Sequence, residues 1–211
     1  PRIFGCSSFR TNMNMKRSLL ALIAAVVILA ASTVSFACAC CADRGAYWVS
    51  TSAPDAYTIS LLKDMHMDTG VELYMTEGED VVKGIGDLGY EDLSLVDAFT
   101  NNTWKITIRS GKGKTGTLTL PRPAKMTSKK IDLHEKEEGD PVLYKEFTFS
   151  GIVGTGTGVF KSGIVRPTKY TLIFQGRGNF CDNVEDFTHW RLEVTGSKAD
   201  YAFFGKMKKT S

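Results

Sequence analysis

Four sets of side chains in this chain have the types and spacing to do chemistry. The first is a group of thiols, Cys38, Cys40 and Cys41, with one distant partner at Cys181. In an oxidising compartment such thiols form disulfides, and adjacent Cys40 and Cys41 are poorly placed to bond each other. Cys181 is therefore expected to pair with one of Cys38, Cys40 or Cys41. Cys38 also directly follows Ala37, which resembles the signal of bacterial lipoproteins, where the cysteine becomes the acylated first residue. Phe36 and Ser35 depart from that pattern, so acylation of Cys38 stands as an alternative. The second set is Met65, His66 and Met67, soft donors that, with the thiols, suit copper(I) or zinc. The ordinary alternative is two core methionines flanking one exposed imidazole.

The third set is Glu185 and Asp186, with His189 three residues on. Neighbouring carboxylates can divide the roles of acid and base, which makes a hydrolase a further alternative. The fourth is Gly154, Gly156 and Gly158, whose spacing imitates a phosphate loop. No Lys-Ser/Thr follows, so a glycine strand under a close-packed neighbour is the better reading. His134-Glu135 lacks the second histidine of a zinc-protease helix. No Gly-x-Ser-x-Gly nucleophile motif is present. Asn101-Asn102-Thr103 is a glycosylation sequon, relevant in a eukaryotic secretory route. No cofactor motif is found, and no catalytic residue is assigned.

The compartment comes from residues 15–37. Lys16 and Arg17 precede an apolar run from Leu19 to Ala31, followed by small residues and a small-x-small site at Ser35, Phe36 and Ala37. That is the build of a secretory leader, and the run is shorter than the ~20 residues of a membrane-spanning helix. Residues 1–14 are read as an upstream extension, 15–37 as the signal peptide with its helix, 38–56 as a Cys-rich segment and 57–207 as the β-domain. The expected location is the periplasm or the cell exterior, with membrane attachment only through the leader or a lipid on Cys38.

The leader also carries the charge imbalance. The whole chain has 26 basic and 23 acidic residues. Arg2, Arg10, Lys16 and Arg17 all lie before Ala37, and no acidic residue does. The remaining chain is near neutral and lacks the basic footprint of a nucleic-acid binder.

The rest of the sequence says what must hold any site. Tyr57, Ile59 and Leu61 alternate with polar residues, as do Val71, Leu73 and Met75, and each set predicts a strand. Residues 78–89 read as a long turn or a frayed helical turn, and 93–99 as a strand or short helix. Trp104, Ile106 and Ile108, then Leu118 and Leu120, form a hairpin with a threonine-lined outer face, ended by Pro121 and Pro123. Residues 125–140 are the most charged part and predict a solvated loop or an exposed edge hairpin. Phe147 and Phe149, then Tyr170, Leu172 and Phe174, continue the alternation, with Gly176 and Gly178 expected to turn the chain. Trp190, Leu192 and Val194 form the next strand, and residues 201–204 close the domain before the basic tail of Lys206, Lys208 and Lys209. The expected fold is all-β: a single antiparallel β-barrel or β-sandwich of about nine to eleven strands. The function expected of it is non-enzymatic binding of a small ligand or an envelope partner, with the copper- or zinc-handling protein and the Glu185/Asp186 hydrolase as alternatives.

Overall fold

The computed structural model describes residues 40–74, 82–86, 88, 92–100, 102–134 and 141–209. The leader, the Cys38 acylation position, Met75, Asn101 and Glu135 lie outside the described residues.

The strands are β1 (Tyr47–Ser52), β2 (Met67–Tyr74), β3 (Ser94–Thr100), β4 (Thr103–Arg109), β5 (Thr115–Pro121), β6 (Met126–Asp132), β7 (Leu143–Ile152), β8 (Thr155–Gly158), β9 (Lys169–Gly178), β10 (Phe187–Gly196) and β11 (Ala199–Met207). Among the described residues one helix, α1 (Ala56–Asp64), and one 3₁₀ turn, Val184–Asp186, accompany the strands. All eleven strands belong to one antiparallel sheet in the order β1-β6-β7-β9-β10-β11-β2-β3-β4-β5-β8. Its weakest seam is β2 to β3, paired only at Gly70 and Ser94.

Alternation decides which face is inside. Trp104, Ile106, Ile108, Leu118, Leu120, Tyr170, Leu172, Phe174, Trp190, Leu192 and Val194 are all buried, and Lys105, Arg109 and Arg191 between them are exposed. Aromatic rings from strands far apart in the sheet order meet in the core. Trp104 on β4 lies 4.9 Å from Phe149 on β7 and 6.4 Å from Phe174 on β9, centroid to centroid. The hydroxyl of Tyr170 on β9 donates to the carbonyl of Pro121 at the end of β5. On the outer face Thr107 and Thr117 share a hydroxyl hydrogen bond of 2.9 Å.

Four local expectations are corrected. Residues 57–62 are helical, within Ala56–Asp64. Pro54 stops the preceding strand, the side chain of Asp55 accepts the Thr58 N–H at 2.7 Å, and Leu61, Leu62 and Met65 bury one helical face. That bond, from the Thr58 backbone N–H, also holds the Asp55 carboxyl below its ordinary range. Residues 47–52, inside the segment read as Cys-rich, form edge strand β1 against β6. Of the two readings of the charged stretch, 126–132 is not a solvated loop: it is β6, antiparallel to β7 as in a hairpin, but inside the sheet because β1 covers its other side. Its lysines can lie there because each finds a carboxylate, Lys129 on Glu146 at 2.7 Å and Lys130 on Asp182 at 2.9 Å. Gly176 and Gly178 do not turn the chain but extend β9.

The glycines of β8 are packed from both sides. A Cβ on Gly156 would meet Ile164 Cγ1 at 2.5 Å, and one on Gly158 would meet the Thr115 carbonyl oxygen at 2.0 Å.

Candidate functional site

Cys40 and Cys181 form a disulfide across 141 residues of sequence, with Cα atoms 4.7 Å apart. It joins the start of the described chain to the loop that follows β9, and the Phe180 N–H donates to the Cys40 carbonyl at 2.8 Å. Cys41 is exposed and takes no part in the disulfide.

Beside this disulfide lies a charged group that alternation alone does not flag as a site. β7 turns Leu143, Phe147 and Phe149 inward, and Lys145 shares their face, 0% exposed. Its Nζ donates to Asp186 Oδ2 at 2.7 Å and to the carbonyl of Cys181, and lies 3.3 Å from Asp182 Oδ1. Lys130 completes the group, bonded to Asp182 Oδ2 and to the Phe180 carbonyl at 2.7 Å. The Lys130 ammonium also lies 4.8 Å from the Phe180 ring centre and 5.4 Å from that of Trp48. Two cations and two carboxylates thus balance around one loop.

Glu185 and Asp186 face different surroundings. Both sit on the 3₁₀ turn, but Asp186 is turned to Lys145, and Glu185 lines an open cleft of about 500 Å³. Met65 and Met67 are core residues, 4% and 5% exposed, and only His66 stands out, its Nδ1 3.6 Å from Asp97 Oδ2. Burial raises the Asp97 carboxyl above its ordinary value, against the Met67 N–H and His66, which favour the charged form. His134 has a left-handed φ of 53° and folds back on Asp132, whose carboxyl is held low by the N–H groups of Gly45 and His134. Among the described residues no three His, Cys, Asp or Glu side chains group around a possible metal position.

The 500 Å³ cleft lies where the ladder is irregular. β10 has a bulge against β9 between Phe187 and His189, and β11 has another against β2 between Gly205 and Met207. Bulges bend a strand and re-aim its side chains. Here both lie at the end of the β10–β11 pair, which itself stays in register through His189 and Lys206. Val184, Phe187 and Met207 give the cleft an apolar floor, and Lys206, Lys208, Lys209, His189 and Glu185 supply its polar rim. The Lys208 N–H is anchored to the His66 carbonyl at 2.8 Å, which fixes the tail that carries the rim. A second cleft of about 260 Å³ shares His189 and is lined by Trp190 and Gly205. The buried Trp190 indole N–H has no acceptor among the described residues.

No protein-family model, curated protein or solved structure matches this chain. Among the described residues no helix is long and apolar enough to cross a membrane.

Proposed function

We propose that this chain is an exported, non-enzymatic β-domain, a barrel or sandwich, that binds a small amphipathic anion in the cleft lined by the 3₁₀ turn, the start of β10 and the end of β11. The observation that carries the reading is the cleft's composition: three lysines and a histidine on the rim above Val184, Phe187 and Met207. Lysine stems cover apolar surface while their ammonium groups remain in water. Such a rim attracts a carboxylate or sulfonate head, and the floor accepts its hydrocarbon body. One carboxylate, Glu185, among these cations favours a singly charged head over a highly charged one. The Cys40–Cys181 disulfide supports an oxidising compartment, in keeping with the leader composition of residues 15–37.

Lys145 engages Asp186 and turns it away from the cleft, which favours binding over hydrolysis.

A long-chain fatty acid with a fluorescent reporter, compared with the matching neutral alcohol, tests the proposal. The acid is expected to bind saturably at one site. The alcohol, and the acid with the Lys206→Glu/Lys208→Glu variant, should each bind roughly tenfold more weakly. Added salt should weaken the acid and spare the alcohol. Equal binding of acid and alcohol, or of wild type and variant, rejects the site.

A further inference from the structure

We propose that Lys145 and Asp186 are joined by an intramolecular isopeptide bond, formed after folding with Asp182 as proton carrier. The proposal starts from an anomaly of position. Lys145 occupies an inward register of β7, between Leu143 and Phe147, where the rest of the face is apolar. Its side chain is 1% exposed. Burying an ion pair is costly, and Coulomb attraction only partly offsets the lost hydration. A condensation that removes both charges removes that cost.

The ion pair already holds the two groups together: Lys145 Nζ donates to Asp186 Oδ2 at 2.7 Å, which keeps the amine beside the carboxyl whose Cγ it would attack. The Asn183 N–H donates to the same Oδ2 at 3.1 Å and so polarises the carboxyl toward attack at Cγ. Asp182 Oδ1 lies 3.3 Å from the same Nζ, is buried and makes no hydrogen bond. It is a carboxylate placed to accept a proton from the amine.

The step balances without a co-reactant. Asp182 takes one proton from the Lys145 ammonium, and the free amine attacks Asp186 Cγ. The Nζ–Cγ bond forms and one Cγ–O bond breaks. Of the three ammonium protons, one stays on the amide nitrogen and two leave with the carboxyl oxygen as water, one of them returned by Asp182. Nothing is oxidised or reduced. Afterwards Asp182 is again a carboxylate and remains paired with Lys130 at 2.9 Å, so the group is neutral before and after.

The disulfide at Cys181 sits one residue from the proton carrier and ties the reacting loop to Cys40, while the Cys181 carbonyl accepts from Lys145 on β7. The bond would fix the 3₁₀ turn whose Val184 and Glu185 form one wall of the cleft. The chemistry does not depend on what the cleft binds.

Mass spectrometry of the reduced, alkylated full chain tests this directly. The expected mass is one water below that calculated for its measured N-terminus. Trypsin should fail to cut after Lys145 and should yield peptide 137–161 joined to peptide 178–191. Lys145→Arg and Asp186→Ala should each return the calculated mass. Asp182→Asn keeps both partners and should remain unbridged. Asp186→Asn can still condense, losing ammonia in place of water. An unmodified wild-type mass with the two peptides separate overturns the proposal. A bridge mapped to Asp182 overturns the assigned roles.

Discussion

Asp186 occupies the space that a side chain at position 178 would need. A Cβ on Gly178 would lie 2.2 Å from Asp186 Oδ1, and one on Gly176 would lie 1.8 Å from the Asp186 carbonyl oxygen. The two glycines at the end of β9 are therefore the floor on which the 3₁₀ turn rests. Gly178→Ala should push Asp186 away from Lys145 and cost about 1–3 kcal/mol, the usual range for overpacking. Urea denaturation measures the cost. An unchanged midpoint would mean that the turn moves freely over β9.

Trp190 offers a separate test of the core. It is 1% exposed on β10, and its nitrogen lies 3.0 Å from where a Cβ on Gly205 would stand. Trp190→Ala should cost about 3–5 kcal/mol, as large aromatic truncations in cores do. A loss under 1 kcal/mol would place the ring outside the core. Trp190→Phe should cost less than alanine, because it keeps most of the buried area and removes an N–H with no acceptor among the described residues.

How much of this was legible follows from which forces are local. Period-two alternation reports the inner face directly, so the hairpin of Trp104 to Leu120 and the strands around Leu172 and Leu192 were readable. Ala56–Asp64 was not, because Tyr57, Ile59 and Leu61 fit a strand as well as a helix. The deciding signal was Pro54-Asp55, a stop followed by an N-cap, which alternation ignores. β6 was misread because its lysines are neutralised by Glu146 and Asp182, 17 and 52 residues away in sequence, and composition carries no long-range pairing. Lys145 shares the inward period of Phe147 and Phe149, but a search for apolar alternation passes over a charge. That Asp182 and Asp186 reach it required the β9–β10 connection to fold over β7. The cleft was the least legible feature, since it depends on two bulges that leave no pattern in the sequence.

Glu146 gives the fold an acid-sensitive contact. Burial raises its pKa, but hydrogen bonds from Lys129, Thr148 and Tyr144 together outweigh burial and hold the carboxyl below its ordinary 4.5. A depressed carboxylate stabilises the fold above its unfolded value, and that contribution is lost as pH falls through the lower folded value. Glu146→Gln should thus cost about 1–2 kcal/mol at pH 7, and the gap to wild type should close as pH drops below 4.5. Asp97 has the opposite sign. Its raised carboxyl favours the protonated fold, so its contribution is present at low pH and lost as pH rises through the folded value. Thermal denaturation of Glu146→Gln and Asp97→Asn between acid and neutral pH separates the two. Parallel pH profiles for both variants would contradict these assignments.

The disulfide constrains the largest loop available to the described chain. Cys40 and Cys181 close 141 residues, and the chain-entropy model puts the upper value of such a closure near 5 kcal/mol, with measured bridges usually at about 2–4. What the bridge holds is specific. The N-terminal segment reaches the sheet through the Cys40 carbonyl to Phe180, through Gly45 to Asp132 at 2.7 Å, and through β1 on β6. The Phe180 ring also packs 6.5 Å from Trp48 on that strand. Cys181→Ser should therefore lower stability by about 2–4 kcal/mol and open β1 first. Amide exchange should quicken at Val49 and Thr51 before it quickens at Leu172 or Leu192 in the centre of the sheet. Wild type under reducing conditions should behave as the variant does. If exchange instead rises evenly across β1, β9 and β10, the bridge stabilises the whole sheet and not its first edge. If neither stability nor exchange changes, the hydrogen bonds and aromatic contacts of β1 suffice without it.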